Sequence, residues 1–76
     1  MKYITIGKIK LPETIKLDGN DARLMIYPKG KKWKMKYVYF TGIDFIEFAN
    51  DFFSFNSIEE AAISMKAGLK INGYIK

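Results

Sequence analysis

Pro28 to Phe40 reads PKGKKWKMKYVYF, and the spacing of its side chains decides how the chain folds. On a β-strand, successive side chains point to opposite faces. Period two therefore places Trp33, Met35, Tyr37 and Tyr39 on one face, and Lys32, Lys34, Lys36, Val38 and Phe40 on the other. The first face suits a core and the second suits water, as expected for a half-buried antiparallel strand. Upstream, Ala22 to Tyr27 alternates in the same way, with Ala22, Leu24 and Ile26 on one side. Pro28-Lys29-Gly30-Lys31 lies between the two runs as a turn, so together they predict a β-hairpin.

Working outward, Tyr3 to Leu11 is expected as a first strand, with Ile4 and Ile6 alternating with Tyr3 and Thr5. Pro12-Glu13 breaks it, because proline cannot donate to a ladder. Thr14 to Leu17 is short and extended. Asp18-Gly19-Asn20-Asp21 is a turn, since these residue types tolerate positive φ. Ser57 to Ala67 predicts a helix. Ser57 is its N-cap and Glu60 its capping-box partner, while Ile58, Ala61, Ala62 and Met65 form its buried stripe. Gly68 is expected at the left-handed C′ position, with Leu69 folding back on Ile63, and Asn72-Gly73 as a tight turn.

Ile43 to Phe53 is the ambiguous segment. Asp44, Glu47, Asp51 and Ser54 fall at helical spacing, opposite a set of phenylalanines. Phenylalanine-rich runs nevertheless favour sheets, and Ala49-Asn50-Asp51 fits a hairpin turn. The reading adopted is a sheet with a kink or bulge. The expected fold is thus α+β: one domain spanning 1–76, with a twisted antiparallel sheet of four to five strands packed on one C-terminal helix at about 57–67. Barrel-like closure of the sheet is the variant of this fold.

Composition narrows the chemistry. The 76 residues include no cysteine and no histidine. That removes thiolate nucleophiles, Cys-ligated metals and the usual general base. The expectation is a non-enzyme with no cofactor and no metal site. Two motifs fail on spacing: Asp18 to Asp21 lacks the ligand pattern of a calcium loop, and Gly30-Lys31-Lys32 lacks that of a P-loop. No apolar run reaches the ~20 residues of a membrane helix, and no secretory leader is visible, so the expected location is cytoplasmic.

Charge is unevenly placed. Residues 1–40 hold ten basic side chains against three carboxylates, and residues 41–76 hold three against five. The chain is a basic half followed by a mildly acidic half, which favours polyanions or acidic proteins. Twelve of the 13 basic residues are lysine. Lysine lacks the planar fork that reads guanine, so base-specific recognition is not expected.

Lys29, Lys31, Lys32, Lys34 and Lys36 are the candidate binding residues, for a protein partner or a phosphate backbone. Against this stands the plainer reading, in which the aromatic face is core and the lysines are a solvated, edge-protecting face. Asp44, Glu47 and Asp51 are weighed for a small enzyme or a hard cation, against the plainer reading as the wet side of an amphipathic helix, and Glu59-Glu60 is better explained by capping than as a catalytic pair. The six phenylalanines, four of them between Phe45 and Phe53, are expected in the core, and any part of that group left exposed would mark a protein-binding patch.

The functional expectation is a small basic protein that docks on an acidic protein or nucleoprotein. Its compositional bias suggests a phage or mobile-element inhibitor of a host defence system. Non-specific nucleic-acid binding by the lysine strand is the alternative, and a carboxylate-based enzyme the third reading. An unpaired edge strand would leave room for a homodimer.

Overall fold

A computed structural model describes residues 2–49 and 54–76. The architecture is α+β. Six strands, β1 (Tyr3–Ile6), β2 (Ile9–Pro12), β3 (Thr14–Leu17), β4 (Asn20–Lys29), β5 (Lys32–Phe40) and β6 (Phe45–Phe48), precede the helix α1 (Ile58–Ile71). Strands β3-β4-β5-β6 form one antiparallel sheet in chain order, and β1-β2 form a separate hairpin. The larger sheet curls until β3 and β6, its outermost strands, approach one another.

The centre of the fold is the hairpin read from PKGKKWKMKYVYF. Strands β4 and β5 pair from Arg23↔Val38 to Lys29↔Lys32. They close over Gly30, whose φ of 65° is open to glycine at little cost. Alternation sorts β5 as expected: Met35 and Tyr37 are buried, and Trp33 and Tyr39 half-buried on the same side. Between β3 and β4, Asp18 and Gly19 both take positive φ, the geometry of a two-residue type I′ turn.

The inner face of the sheet meets α1 and the β1-β2 hairpin. Leu11, Ile15, Leu17, Ala22, Met35, Tyr37, Ala61, Ala62, Met65 and Leu69 form one cluster of buried residues. Burial of this apolar area is the main term holding so short a chain together. Tyr37 brings one polar atom into the cluster. Its hydroxyl donates to the Pro12 carbonyl at 2.7 Å, which ties the central strand to the end of β2. Burial pushes the Tyr37 phenol well above its usual range.

Two expectations are corrected. Residues 3–11 are not one strand but the β1-β2 hairpin, turning at Gly7-Lys8 with Gly7 at φ 59°. Ile4 and Ile6 occupy even positions, whereas Ile9 and Leu11 occupy odd ones. That phase change is what a two-residue turn does to an apolar face, and in the pairing Ile4↔Leu11 and Ile6↔Ile9 share a side.

The helix runs one turn further than 67. Gly68 and Leu69 are buried inside it, so Leu69 does not fold back on Ile63, which is exposed. Gly73, at φ 80°, is the C′ residue. The Tyr74 N–H donates to the Leu69 carbonyl at 2.9 Å, and the Gly73 N–H to the Lys70 carbonyl at 3.2 Å, the paired bonds of a Schellman cap. At the other end Ser57 is the N-cap, its hydroxyl accepting the Glu60 N–H at 3.1 Å.

Phe45 to Phe48 is a strand, so Asp44 and Glu47 do not lie on a helix face. Of the expected turn at Ala49-Asn50-Asp51, Asn50 and Asp51 lie outside the described residues, as do the residues up to Phe53. Beyond them Phe55 bridges to Trp33 by two reciprocal backbone bonds of 2.8 and 2.9 Å. The register of β5 with its partner segment shifts between Tyr37↔Phe48 and Trp33↔Phe55.

Candidate docking surface

The outer face of the β3-β6 sheet is built by the same alternation that buries Met35 and Tyr37. Register sets Arg23, Met25, Tyr27 and Lys29 of β4 beside Val38, Lys36, Lys34 and Lys32 of β5. It sets Phe45 and Glu47 of β6 beside Phe40 and Val38. All these side chains therefore share one face.

One pole of the face is basic. Lys29 and Lys32 stand directly opposite each other at the hairpin tip, with Lys31 in the turn between them. All three are exposed, and none forms an ion pair among the described residues. Like charges directly opposite oppose pairing, so an anion at the tip would relieve repulsion as well as gain attraction.

The middle of the face is partly self-satisfied. The Lys36 ammonium sits 2.6 Å from a Glu47 carboxylate oxygen and 5.2 Å from the centre of the Tyr27 ring. Lys34 is half-buried opposite Tyr27. The five candidate lysines thus divide. Lys29, Lys31 and Lys32 form a compact cluster, whereas Lys36 is engaged within the sheet and Lys34 is partly covered. A uniform five-charge ladder is not what the fold presents.

The other pole is apolar. Phe40 and Phe45 are 58% and 63% exposed, and their rings pack at 4.9 Å between centroids. Ile43, in the connecting loop, is 94% exposed. That loop is firmly tied. The Thr41 hydroxyl accepts from the Ile43 and Asp44 N–H groups at 3.3 and 3.0 Å. The Thr41 N–H donates to the Asp44 carbonyl at 2.8 Å. The Asp44 carboxylate accepts the Phe45 N–H at 3.0 Å. An isoleucine held out by so many bonds is a presented side chain rather than a frayed one.

Phe40 and Phe45 correct the expectation that the phenylalanines are core, and they meet the condition set for a binding patch. Phe48 differs: it is half-buried, edge-on to Tyr74 at 5.0 Å between centroids. Phe52 and Phe53 lie outside the described residues. Alternation had already placed Phe40 on the lysine face, so that residue was findable. Ile43 carries no periodic signal at all.

The carboxylate trio does not assemble. Asp44 is spent on the loop, Glu47 faces Lys36, and Asp51 lies outside the described residues. Among the described residues no group of three or more Asp, Glu, His or Cys side chains gathers to hold a metal ion. No helix among them is long and apolar enough to cross a membrane. No family model, no curated protein and no solved structure matches the chain.

Proposed function

We propose that this protein is a non-enzymatic binding module. Its outer sheet face docks on an acidic protein surface that also offers an apolar pocket. The observation that carries this reading is the exposed Phe40-Phe45 ring pair, with the exposed Ile43 in the adjoining loop, on the same sheet face as Lys29 and Lys32. Protein interfaces concentrate binding energy in a few buried aromatic or aliphatic anchors, with charge at the rim guiding approach. A phosphate backbone would use the lysines but has no use for a bare isoleucine. Such a module acts by covering its partner's surface, and in that sense it would be an inhibitor.

The test compares capture of acidic proteins by the native chain and by two variants, Ile43→Ser/Phe45→Ser and Lys31→Glu/Lys32→Glu. A captured partner, purified and titrated, should lose about 30-fold or more in affinity with the first variant, the scale of a hot-spot residue. With the second it should lose its salt dependence. A partner held equally well by Ile43→Ser/Phe45→Ser would refute the reading.

Non-specific binding of duplex nucleic acid is the second reading, favoured by the three tip lysines that have no ion-pair partner among the described residues. Three phosphate contacts would give a log–log salt slope near −2.7. A flat salt response would remove it.

A further inference from the structure

A second concave surface lies away from the outer sheet face, between the β1-β2 hairpin and the C-terminal end of α1. It is a groove of about 490 Å³ floored by Pro12 and walled by Tyr3, Lys10, Lys66, Tyr74 and Lys76. Its volume falls in the range of small-ligand sites. The lining residues include three lysines, two tyrosines and Ile75, and among the described residues no Asp or Glu. None of these lysines forms an ion pair among the described residues.

The fold places these groups together for stated reasons. Tyr3 pairs with Pro12 and Thr5 with Lys10, so Tyr3 and Lys10 stand on the hairpin face that points away from Ile4 and Leu11. Tyr3 is 56% exposed. Tyr74 is brought in by the Schellman cap, and its ring is braced edge-on by Phe48. Lys66 comes from the last turns of α1. On β5, alternation sends rings and lysines to opposite sides of the sheet. In this groove two rings and three lysines line one cavity.

We infer that this groove binds a nucleotide unit, its phosphate held by Lys10, Lys66 and Lys76 and its base lying against Tyr3 and Tyr74. Ring stacking with lysine neutralisation of phosphate is how single-stranded nucleic acids are held without reading sequence. A free nucleotide and one residue of a strand share that chemistry. A smaller pocket of about 310 Å³, lined in part by the Lys16–Asp21 ion pair, adjoins the groove and shares Pro12, Tyr74 and Ile75 with it.

The experiment titrates the full chain, at ~50 mM salt, with adenosine monophosphate, a labelled hexathymidylate and inorganic phosphate, followed by amide chemical shifts and anisotropy. Binding of the monophosphate with shifts at Tyr3, Lys10, Lys66 and Tyr74 supports a free-nucleotide site. Binding of the hexamer alone, with the same shifts, supports a strand site. In either case Lys10→Glu/Lys66→Glu should weaken binding at least tenfold. On the hexamer it should also reduce the salt slope by about 1.4, because two phosphates of a single strand are then no longer neutralised by lysine. Tyr3→Ala should weaken binding about fivefold or more.

Lys31→Glu/Lys32→Glu, at the hairpin tip, lowers the net charge from +5 to +1 and so weakens attraction of any polyanion, but it should leave the shifts at Tyr3, Lys10, Lys66 and Tyr74 at saturation unchanged, since Lys31 and Lys32 do not line the groove. No binding of either nucleotide probe at millimolar concentration would overturn the inference. So would binding abolished only by the hairpin-tip variant, or equal competition by inorganic phosphate. The shift map of the native chain decides the matter even if a variant fails to fold.

Discussion

Tyr37→Phe removes one oxygen from the middle of the core and isolates the contribution of a single bond. The ring keeps its packing, because phenylalanine fills the same volume less the hydroxyl. The hydroxyl donates at 2.7 Å to the Pro12 carbonyl, in a site where Tyr37 has no exposed surface and Pro12 is buried. Leaving a buried acceptor without its donor costs about 1–3 kcal/mol. A 76-residue chain at roughly 0.05–0.15 kcal/mol per residue has some 4–11 kcal/mol in all. The loss should therefore be plain in urea unfolding at pH 7.

The same variant has a pH signature. Burial raises the Tyr37 phenol in the folded state, while in the unfolded chain it titrates near its ordinary value of about 10. The folded chain then holds this proton where the unfolded chain loses it. Stability from this group is fully present below pH ~10 and falls as pH rises toward the folded value, by about 1.4 kcal/mol per unit. Tyr37→Phe has no such proton. The gap between native and variant stabilities should be constant up to pH ~9.5 and should shrink by about 1.4 kcal/mol by pH 11. Parallel stability curves across that window would show that Tyr37 is not held protonated by burial, and the reasoning would fail.

Other substitutions probe the remaining joints of the fold. Ser57→Ala should cost about 1 kcal/mol in chemical unfolding by removing the N-cap acceptor. Gly73→Ala should cost about 1–2 kcal/mol, because C′ must adopt a left-handed φ; no loss would mean the helix does not end there. Gly7→Ala adds strain at φ 59° and sets a methyl 2.5 Å from the Glu59 carboxylate as it stands, so that side chain must move. It should cost about 1–2 kcal/mol from the backbone alone. Ile43→Ser, at a position 94% exposed, should shift stability by less than about 0.5 kcal/mol. That would leave any binding defect attributable to the surface.

Much of this fold was legible because β5 alternates without interruption. Period two identified the inner residues Trp33, Met35, Tyr37 and Tyr39, and the partner strand declared itself by the same rule. The helix start was legible because an N-cap is a local event: Ser57 and Glu60 lie three residues apart and need no tertiary partner. The helix end was not. Gly68 and Gly73 are both suitable C′ residues, each with a basic side chain shortly before it, and local chemistry alone does not choose between them. Packing chooses, because stopping at Gly68 would leave Leu69 outside a cluster in which it is wholly buried. The β1-β2 turn was written in the phase change between Ile6 and Ile9, a weaker sign than a proline or an Asp-Gly pair. The site was legible in part. Lysines can be counted from a sequence, but Lys36 being engaged by Glu47 and Tyr27 depends on cross-strand register.

The division of labour on β5 also bears on why a chain this small exposes so much apolar surface. Its core is assembled from one face of a curled sheet, one face of a hairpin and one stripe of a helix, so the opposite faces are free of packing duty. Phe40 and Phe45 on the outer sheet face, and Ile43 in the loop between them, gain little for folding. Exposed aromatic area also carries an aggregation risk, which lysine-rich flanks reduce by repulsion. The Thr41 loop argues against mere tolerance of that risk. Five hydrogen bonds within the segment from Thr41 to Phe45 fix a loop whose most prominent product is one bare isoleucine. Fixing a side chain before encounter lowers the entropy lost on binding. These bonds close the β5-β6 turn, and under the proposed function the same order would present Ile43 to a partner at reduced entropic cost.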